Sequence, residues 1–110
     1  MKTRASRAKF ETIKRDTCAE FRIDVALFDS PSRVSTACAA RRLAWWRARR
    51  AHEVSHAQLG AWSGGRDSST VWHSVASLEH WLQGKEFKHG VRKRAASLVR
   101  WRAKKARGEI

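Results

Sequence analysis

The chain has 110 residues, with 24 Lys and Arg against 10 Asp and Glu, so its formal net charge is +14. This length suits one small domain with a tail, and a hydrophobic content of 42% argues against a wholly disordered basic segment. The charge favours a partner with repeated negative charges, either nucleic acid or an anionic membrane. No uncharged stretch is long enough to span a bilayer.

The basic opening residues are not followed by the apolar region of a secretory signal. The two cysteines, Cys18 and Cys38, form no CxxC motif and no framework of pairs, which is typical of thiols in a reducing compartment. We therefore expect a soluble, cytoplasmic and nucleoid-associated protein with no membrane partner, no cofactor and no metal site.

Helical periodicity begins near residue 9, after a basic N-terminal arm over 1–8. A first helix over roughly 9–21 carries these residues at helical spacing: Phe10, Ile13, Thr17 and Phe21. Asp24 is a candidate N-cap for a short helical turn that follows it. The next break is the segment 29–32, which contains the single proline.

An Ala- and Arg-rich helix is predicted from about Val34 to Ala51. Small residues that favour close helix packing share one side: Ala37, Ala40, Ala44 and Ala48. Arginines in and beside this segment supply positive charge: Arg33, Arg41, Arg42, Arg47, Arg49 and Arg50.

Two further helices follow, separated by a glycine-containing turn. Ser55 and Gln58 form a capping box that predicts a short helix over about 55–62. Asp67 is expected to cap a longer helix that runs to about Gln83. Its core face is predicted from helical spacing: Val71, Val75, Leu78 and Leu82.

The predicted domain therefore covers 9–83, and a last, basic helix follows over 84–110. This helix is expected to contact phosphates without sequence preference through Arg92, Arg94, Arg100 and Lys104, although a solvated face or an anionic membrane surface would also explain its charge. The complete pattern predicts an all-α fold of five to six helices.

The short helix, the tight turn and the longer helix together predict a helix-turn-helix motif. Ser68, Ser69, Thr70 and His73 would lie on the exposed face near the start of the second helix. Hydroxyls, an imidazole and a positive helix N-terminus suit contact with base edges or phosphates in a major groove. Two purely structural helices joined by a glycine-rich turn would give a similar pattern.

The segment GGRDSSTVWHSV (64–75) resembles the signature GGRDHTTVLHA of the C-terminal DNA-binding domain of the bacterial replication initiator DnaA. The similarity extends upstream through 55–62 and 41–50, and more weakly through 11–28. The resemblance implies a DnaA C-terminal, Trp-repressor-like helix-turn-helix bundle. It also implies that this bundle reads the major groove of a DnaA-box-like site in double-stranded DNA, while a basic loop reaches the adjacent minor groove.

The resemblance also indicates which residues contact DNA and where this chain departs from the family. The expected contacts are Arg66, Asp67, Ser68, Ser69, Thr70, His73, Arg33, Arg41, Arg42, Ser55 and Ala57. Ser69 replaces a threonine and lacks its methyl group, Ser68 replaces a histidine, and Trp72 replaces a leucine. Ala39 stands where the family's basic loop has its first arginine, so Arg33 is a candidate substitute.

A chain of this length has no room for the AAA+ ATPase that precedes this domain in DnaA. We therefore expect a non-enzymatic binder that regulates replication initiation. A small transcriptional regulator or a phage or mobile-element DNA-binding protein would fit the same features.

Other classes of function remain as alternatives. HEVSH (52–56) matches the zinc-peptidase pattern HExxH, which needs both histidines on one uninterrupted helix. Basic helices with tryptophans would suit an RNA-binding module. Six tryptophans, at positions 45, 46, 62, 72, 81 and 101, either fill the core or, where exposed, stack on unpaired bases or bind a protein partner. The changes at Ala39 and Ser68 would also suit a protein-interaction fragment that has lost DNA contact.

Overall fold

The structure of the protein, a computed structural model, describes residues 3–82. They form five α-helices: α1 (Thr3–Phe21), α2 (Val25–Asp29), α3 (Ser35–Ala51), α4 (His56–Ala61) and α5 (Ser68–Leu82). The described residues contain no strand, so the predicted all-α class is confirmed. The predicted C-terminal helix, with Arg92, Arg94, Arg100 and Lys104, lies outside them. Within 3–82, no helix is both long and apolar enough to cross a bilayer.

Helix α3 is the centre of the bundle and packs against α1, α2 and α5. The predicted packing face of small residues is confirmed, because Ala37, Ala40, Ala44 and Ala48 are all fully buried. Larger side chains from every helix complete the core: Phe10, Phe28, Leu43, Trp45, Trp46, Leu59, Val71 and Leu78. The alanines let neighbouring helices approach α3 closely, and the aromatic rings fill the space between them.

Helix α1 starts at Thr3, six residues before the predicted start, so residues 3–8 are helical and continue α1. Its predicted core face is confirmed by the burial of Phe10, Thr17 and Phe21. The sequence did not indicate that Lys14 is buried on the same helix, with only 2% of its surface exposed. Its Nζ donates to Asp29 Oδ1 (3.1 Å) and to the carbonyl of Trp62 (2.7 Å).

The end of α1 is formed without glycine. Arg22 adopts a positive φ of 57°, its N–H donates to the Ala19 carbonyl at 3.1 Å, and the Ile23 N–H donates to the Cys18 carbonyl at 3.0 Å. This is the Schellman pattern of a helix C-terminus. Asp24 then occupies the N-cap of α2 as predicted, but its side chain makes no capping hydrogen bond. Its main-chain carbonyl begins the helix instead.

The capping box of α4 is confirmed in both directions. Ser55 Oγ accepts from the Gln58 N–H at 3.0 Å, and Gln58 Oε1 accepts from the Ser55 N–H at 2.9 Å. The same cap separates the two histidines of HEVSH, since His52 ends α3 and His56 begins α4. The single helical face that the zinc pattern requires therefore does not form. Within 3–82 no group of three or more metal-ligating side chains is assembled.

Two of the tryptophans in basic surroundings belong to the core. Trp45 and Trp46 are each 2% exposed, and the Trp45 indole N–H donates to Ser63 Oγ at 2.9 Å. The Trp46 indole N–H donates to Glu79. Stacking of these two rings on unpaired bases is therefore excluded, and the core-filling interpretation is confirmed for them. Trp72 differs, because 53% of its surface is exposed.

Candidate nucleic-acid interface

The turn between α4 and α5 is compact and packs against the end of α2. The Arg66 N–H donates to the Gly60 carbonyl at 2.8 Å, which closes the turn. Gly64 and Gly65 have φ values of +80° and +76°, a region that side chains disfavour. A Cβ on Gly64 would lie 2.0 Å from the Asp29 carbonyl oxygen. Glycine at 64 therefore allows the turn to pack closely against the end of α2. This contact helps to set the direction in which α5 leaves the turn.

Helix α5 begins with an exposed polar surface. The Asp67 carbonyl accepts from the N–H groups of Thr70 (3.1 Å) and Val71 (3.3 Å), which places Asp67 at the N-cap position. Ser69, Thr70 and His73 are exposed, whereas Val71 is fully buried. Burial of Val71 and Leu78 fixes the rotation of α5, so the accessibility that DNA contact requires is present.

A cavity of about 290 Å³ lies on one flank of this surface. Residues from α4 and α5 line it: His56, Ser68, Ser69, Trp72 and His73. Burial lowers the pKa of His56, and the guanidinium of Arg49 lowers it further. This flank offers hydroxyls, imidazoles and one indole to a ligand.

A larger cavity, of about 820 Å³, lies on the other flank of α5. It separates Thr70 and Ser74 on α5 from Arg33 in the α2–α3 loop, and Arg42 and Arg66 also line it. Asp29, a further lining residue, is hydrogen-bonded to Lys14. With Arg41, which also lines it, four arginines thus surround one recess beside the start of α5, an arrangement that suits phosphate groups.

Arg41, predicted to contact DNA, has a structural role within the protein. It is 4% exposed and donates through Nε to the Phe28 carbonyl (2.7 Å) and through Nη1 to the Ser32 carbonyl (2.7 Å). Its Nη2 donates to the carbonyls of Leu27 (3.1 Å) and Ser30 (2.9 Å). With four carbonyls accepting from one guanidinium, Arg41 holds the α2–α3 loop in place, and its contact with DNA stays a prediction.

Arg66 links the helix-turn-helix to the same loop. Its Nη2 donates to the Ser30 carbonyl and its Nη1 donates to the Ser63 carbonyl. The side chain is half-buried, so part of its donor capacity is used within the protein. Ser30 therefore accepts from both Arg41 and Arg66. Sequence reasoning missed this contact, because the partner of each guanidinium is a main-chain oxygen that no side-chain pattern reveals.

The remaining predicted contacts are divided between the loop, α3 and α4. Arg33 is exposed in the loop, whereas Ala39 is fully buried within α3, so Arg33 is the arginine that the loop itself presents. Arg42 is half-buried, and burial lowers the pKa of its guanidinium from the ordinary value. Ser55 and Ala57 are exposed at the start of α4.

Comparison with known proteins identifies the family of this fold. The family model described as "Bacterial dnaA protein helix-turn-helix" matches residues 10–77, which is more than half of the chain. The chain belongs to this family. The match covers α1 from residue 10, all of α2, α3 and α4, and α5 up to residue 77.

Curated relatives of this family are about a third identical to the chain over the aligned residues. The chromosomal replication initiator protein DnaA of Geobacter sp. (strain M21) is 34% identical over 82 residues, which is 74% of this chain. The DnaA proteins of Sphingopyxis alaskensis and Spiroplasma citri are 34% and 36% identical over 66% and 70% of this chain. The chain spans only 18%, 17% and 16% of the length of the first three such relatives. No solved structure matches it.

Proposed function

We propose that this chain is a non-enzymatic protein that binds double-stranded DNA with sequence preference, with α5 in the major groove of a DnaA-box-like site. In this proposal its role is regulation of replication initiation. Ser68, Ser69, Thr70 and His73 contact base edges. Arg66 and Arg42 contact phosphates, and Arg33 reaches toward the adjacent minor groove.

The observation that carries the proposal is the position of the exposed polar start of α5. It lies between two cavities, one of which is lined by Arg33, Arg42 and Arg66. Membership of the helix-turn-helix family supports the same orientation. The formal charge of +14 provides the long-range attraction that a polyanion needs.

The test is selection of bound sequences from a random duplex pool, followed by affinity measurements on the selected site and a scrambled one. We expect a DnaA-box-like sequence to be recovered. Ser69→Ala and His73→Ala should each reduce discrimination by about 1–3 kcal/mol at one or two base pairs. Thr12→Ala, which removes an exposed hydroxyl on α1, is the matched control and should leave discrimination unchanged.

A competitor separates DNA binding from the RNA-binding alternative. The selected duplex should be displaced by unlabelled duplex DNA and only weakly by structured RNA, because A-form major grooves are too deep and narrow for a helix. Equal affinity for selected and scrambled duplexes, or stronger competition by RNA, would contradict the proposal.

A further inference from the structure

Trp72 is the most exposed large hydrophobic residue in the described part of the chain. Its exposed fraction is 53%, compared with 49% for Val34 and 36% for Val25. It is not needed for the core, because α5 packs inward through Val71 and Leu78. A single exposed apolar side chain is common on protein surfaces, so what distinguishes Trp72 is its place beside the polar start of α5.

The indole is held in a defined position on that surface. Its ring centroid lies 5.1 Å from that of His73, with an angle of 83° between the ring planes. Such edge-to-face pairs are favourable and directional. Trp72 therefore forms one wall of the cavity next to Ser69 and His73, two residues that the proposed function assigns to base edges.

The other side chains around this cavity are polar. Ser68, Ser69, His56 and His73 offer hydrogen-bonding groups, and Trp72 is the one large apolar member of this set. In the major groove, thymine is the base that presents a methyl group, beside the hydrogen-bonding groups of all four bases. A cavity with polar walls and one indole matches this mixture better than it matches the apolar surface of a protein partner.

We propose that Trp72 is a specificity-determining residue whose indole packs against the C5-methyl group of a thymine while Ser69 and His73 contact neighbouring base edges. This inference rests on the proposed DNA-binding function. It assigns an apolar contact to Trp72, whereas the serine hydroxyls beside it form hydrogen bonds.

The experiment combines removal of the methyl group with removal of the indole. Each thymine of the selected duplex is replaced singly by deoxyuridine, which deletes only the C5-methyl group. The affinity of each duplex is then measured for the wild type, for Trp72→Ala and for Val25→Ala. Val25 is the matched control, because it is an exposed apolar residue on α2. Circular dichroism checks that all three proteins are folded.

At one thymine, we expect removal of the methyl group to lower the affinity of the wild type about fourfold. This ratio corresponds to the free energy of burying one methyl-sized group. Trp72→Ala should bind the thymine and deoxyuridine duplexes equally, whereas Val25→Ala should keep the fourfold ratio. The ratio within one protein cancels any effect of the substitution on folding or overall affinity.

Three outcomes would overturn the inference. The wild type could show no methyl effect at any position, or Trp72→Ala could keep the wild-type ratio while weakening all duplexes, which would indicate a sugar-phosphate contact. Trp72→Ala could also bind every duplex as the wild type does, which would leave the indole for a protein partner. In each case preference for the selected duplex over the scrambled one persists, whereas loss of that preference in the wild type would instead contradict the proposed function.

Discussion

Arg33 and Arg41 lie eight residues apart and have opposite surroundings. Arg33 is exposed in the α2–α3 loop, while Arg41 is buried and satisfies the carbonyls of Leu27, Phe28, Ser30 and Ser32. Both were expected to contact DNA, since both lie near the position of the family's basic loop. Only the position of the loop carbonyls distinguishes them, and that position results from tertiary packing.

Substitution of these two arginines should therefore affect different properties. Arg41→Met leaves several main-chain acceptors without a donor and should lower the free energy of unfolding by at least about 3 kcal/mol. Arg33→Met should change stability by less than about 0.5 kcal/mol and weaken DNA binding. Urea denaturation and duplex binding of both variants test this. Similar stability of the two variants would show that Arg41 does not hold the loop.

His56 should make the free energy of unfolding depend on pH, and the direction of its pKa shift gives the sign of that dependence. Burial and Arg49 lower its pKa from the ordinary value of 6.5, so the folded chain binds this proton more weakly than the unfolded chain. The unfolding free energy should therefore decrease as the pH falls from about 7 to 5. His56→Gln should show a smaller decrease in urea denaturation at each pH. Identical pH profiles would contradict this assignment.

At the scale of elements, all five helices within residues 3–82 were predicted, and the details that lack a local sequence signal were missed. The reciprocal cap of Ser55 and Gln58 and the spacing of Val71 and Leu78 located α4 and α5. The first turns of α1 were missed because Ser6, rather than an apolar residue, is buried there. The positive φ of Arg22 has no glycine to reveal it.

The turn of the helix-turn-helix contains a matched pair of glycines. Both have positive φ, but a Cβ at 64 meets the Asp29 carbonyl at 2.0 Å, whereas a Cβ at 65 meets nothing within 4 Å. Gly65→Ala should cost only the strain of the backbone conformation, about 1–2 kcal/mol. Gly64→Ala should cost clearly more, because main chain must move. Thermal unfolding of the two variants measures the difference, and equal losses would contradict the close approach of the turn to α2.

For the whole molecule, the proposed function predicts a strong dependence of DNA affinity on salt. With about six phosphates neutralised, the logarithm of the association constant should fall with the logarithm of salt concentration at a slope near −5. Arg100→Ala or Lys104→Ala should weaken all duplexes similarly and reduce the slope by about 1. Ser69→Ala should leave the slope unchanged. A salt-independent affinity would contradict binding driven by the +14 charge.

The hydrogen bonds that Arg41 and Arg66 both donate to Ser30 join the loop and the helix-turn-helix into one unit. The conformational entropy of aligning these two parts is therefore lost when the chain folds, and a duplex does not have to order them. Arg33 in the loop and α5 therefore have a fixed separation before DNA binds. Under the proposed function, only a site whose grooves match that built-in separation can engage Arg33 and α5 together.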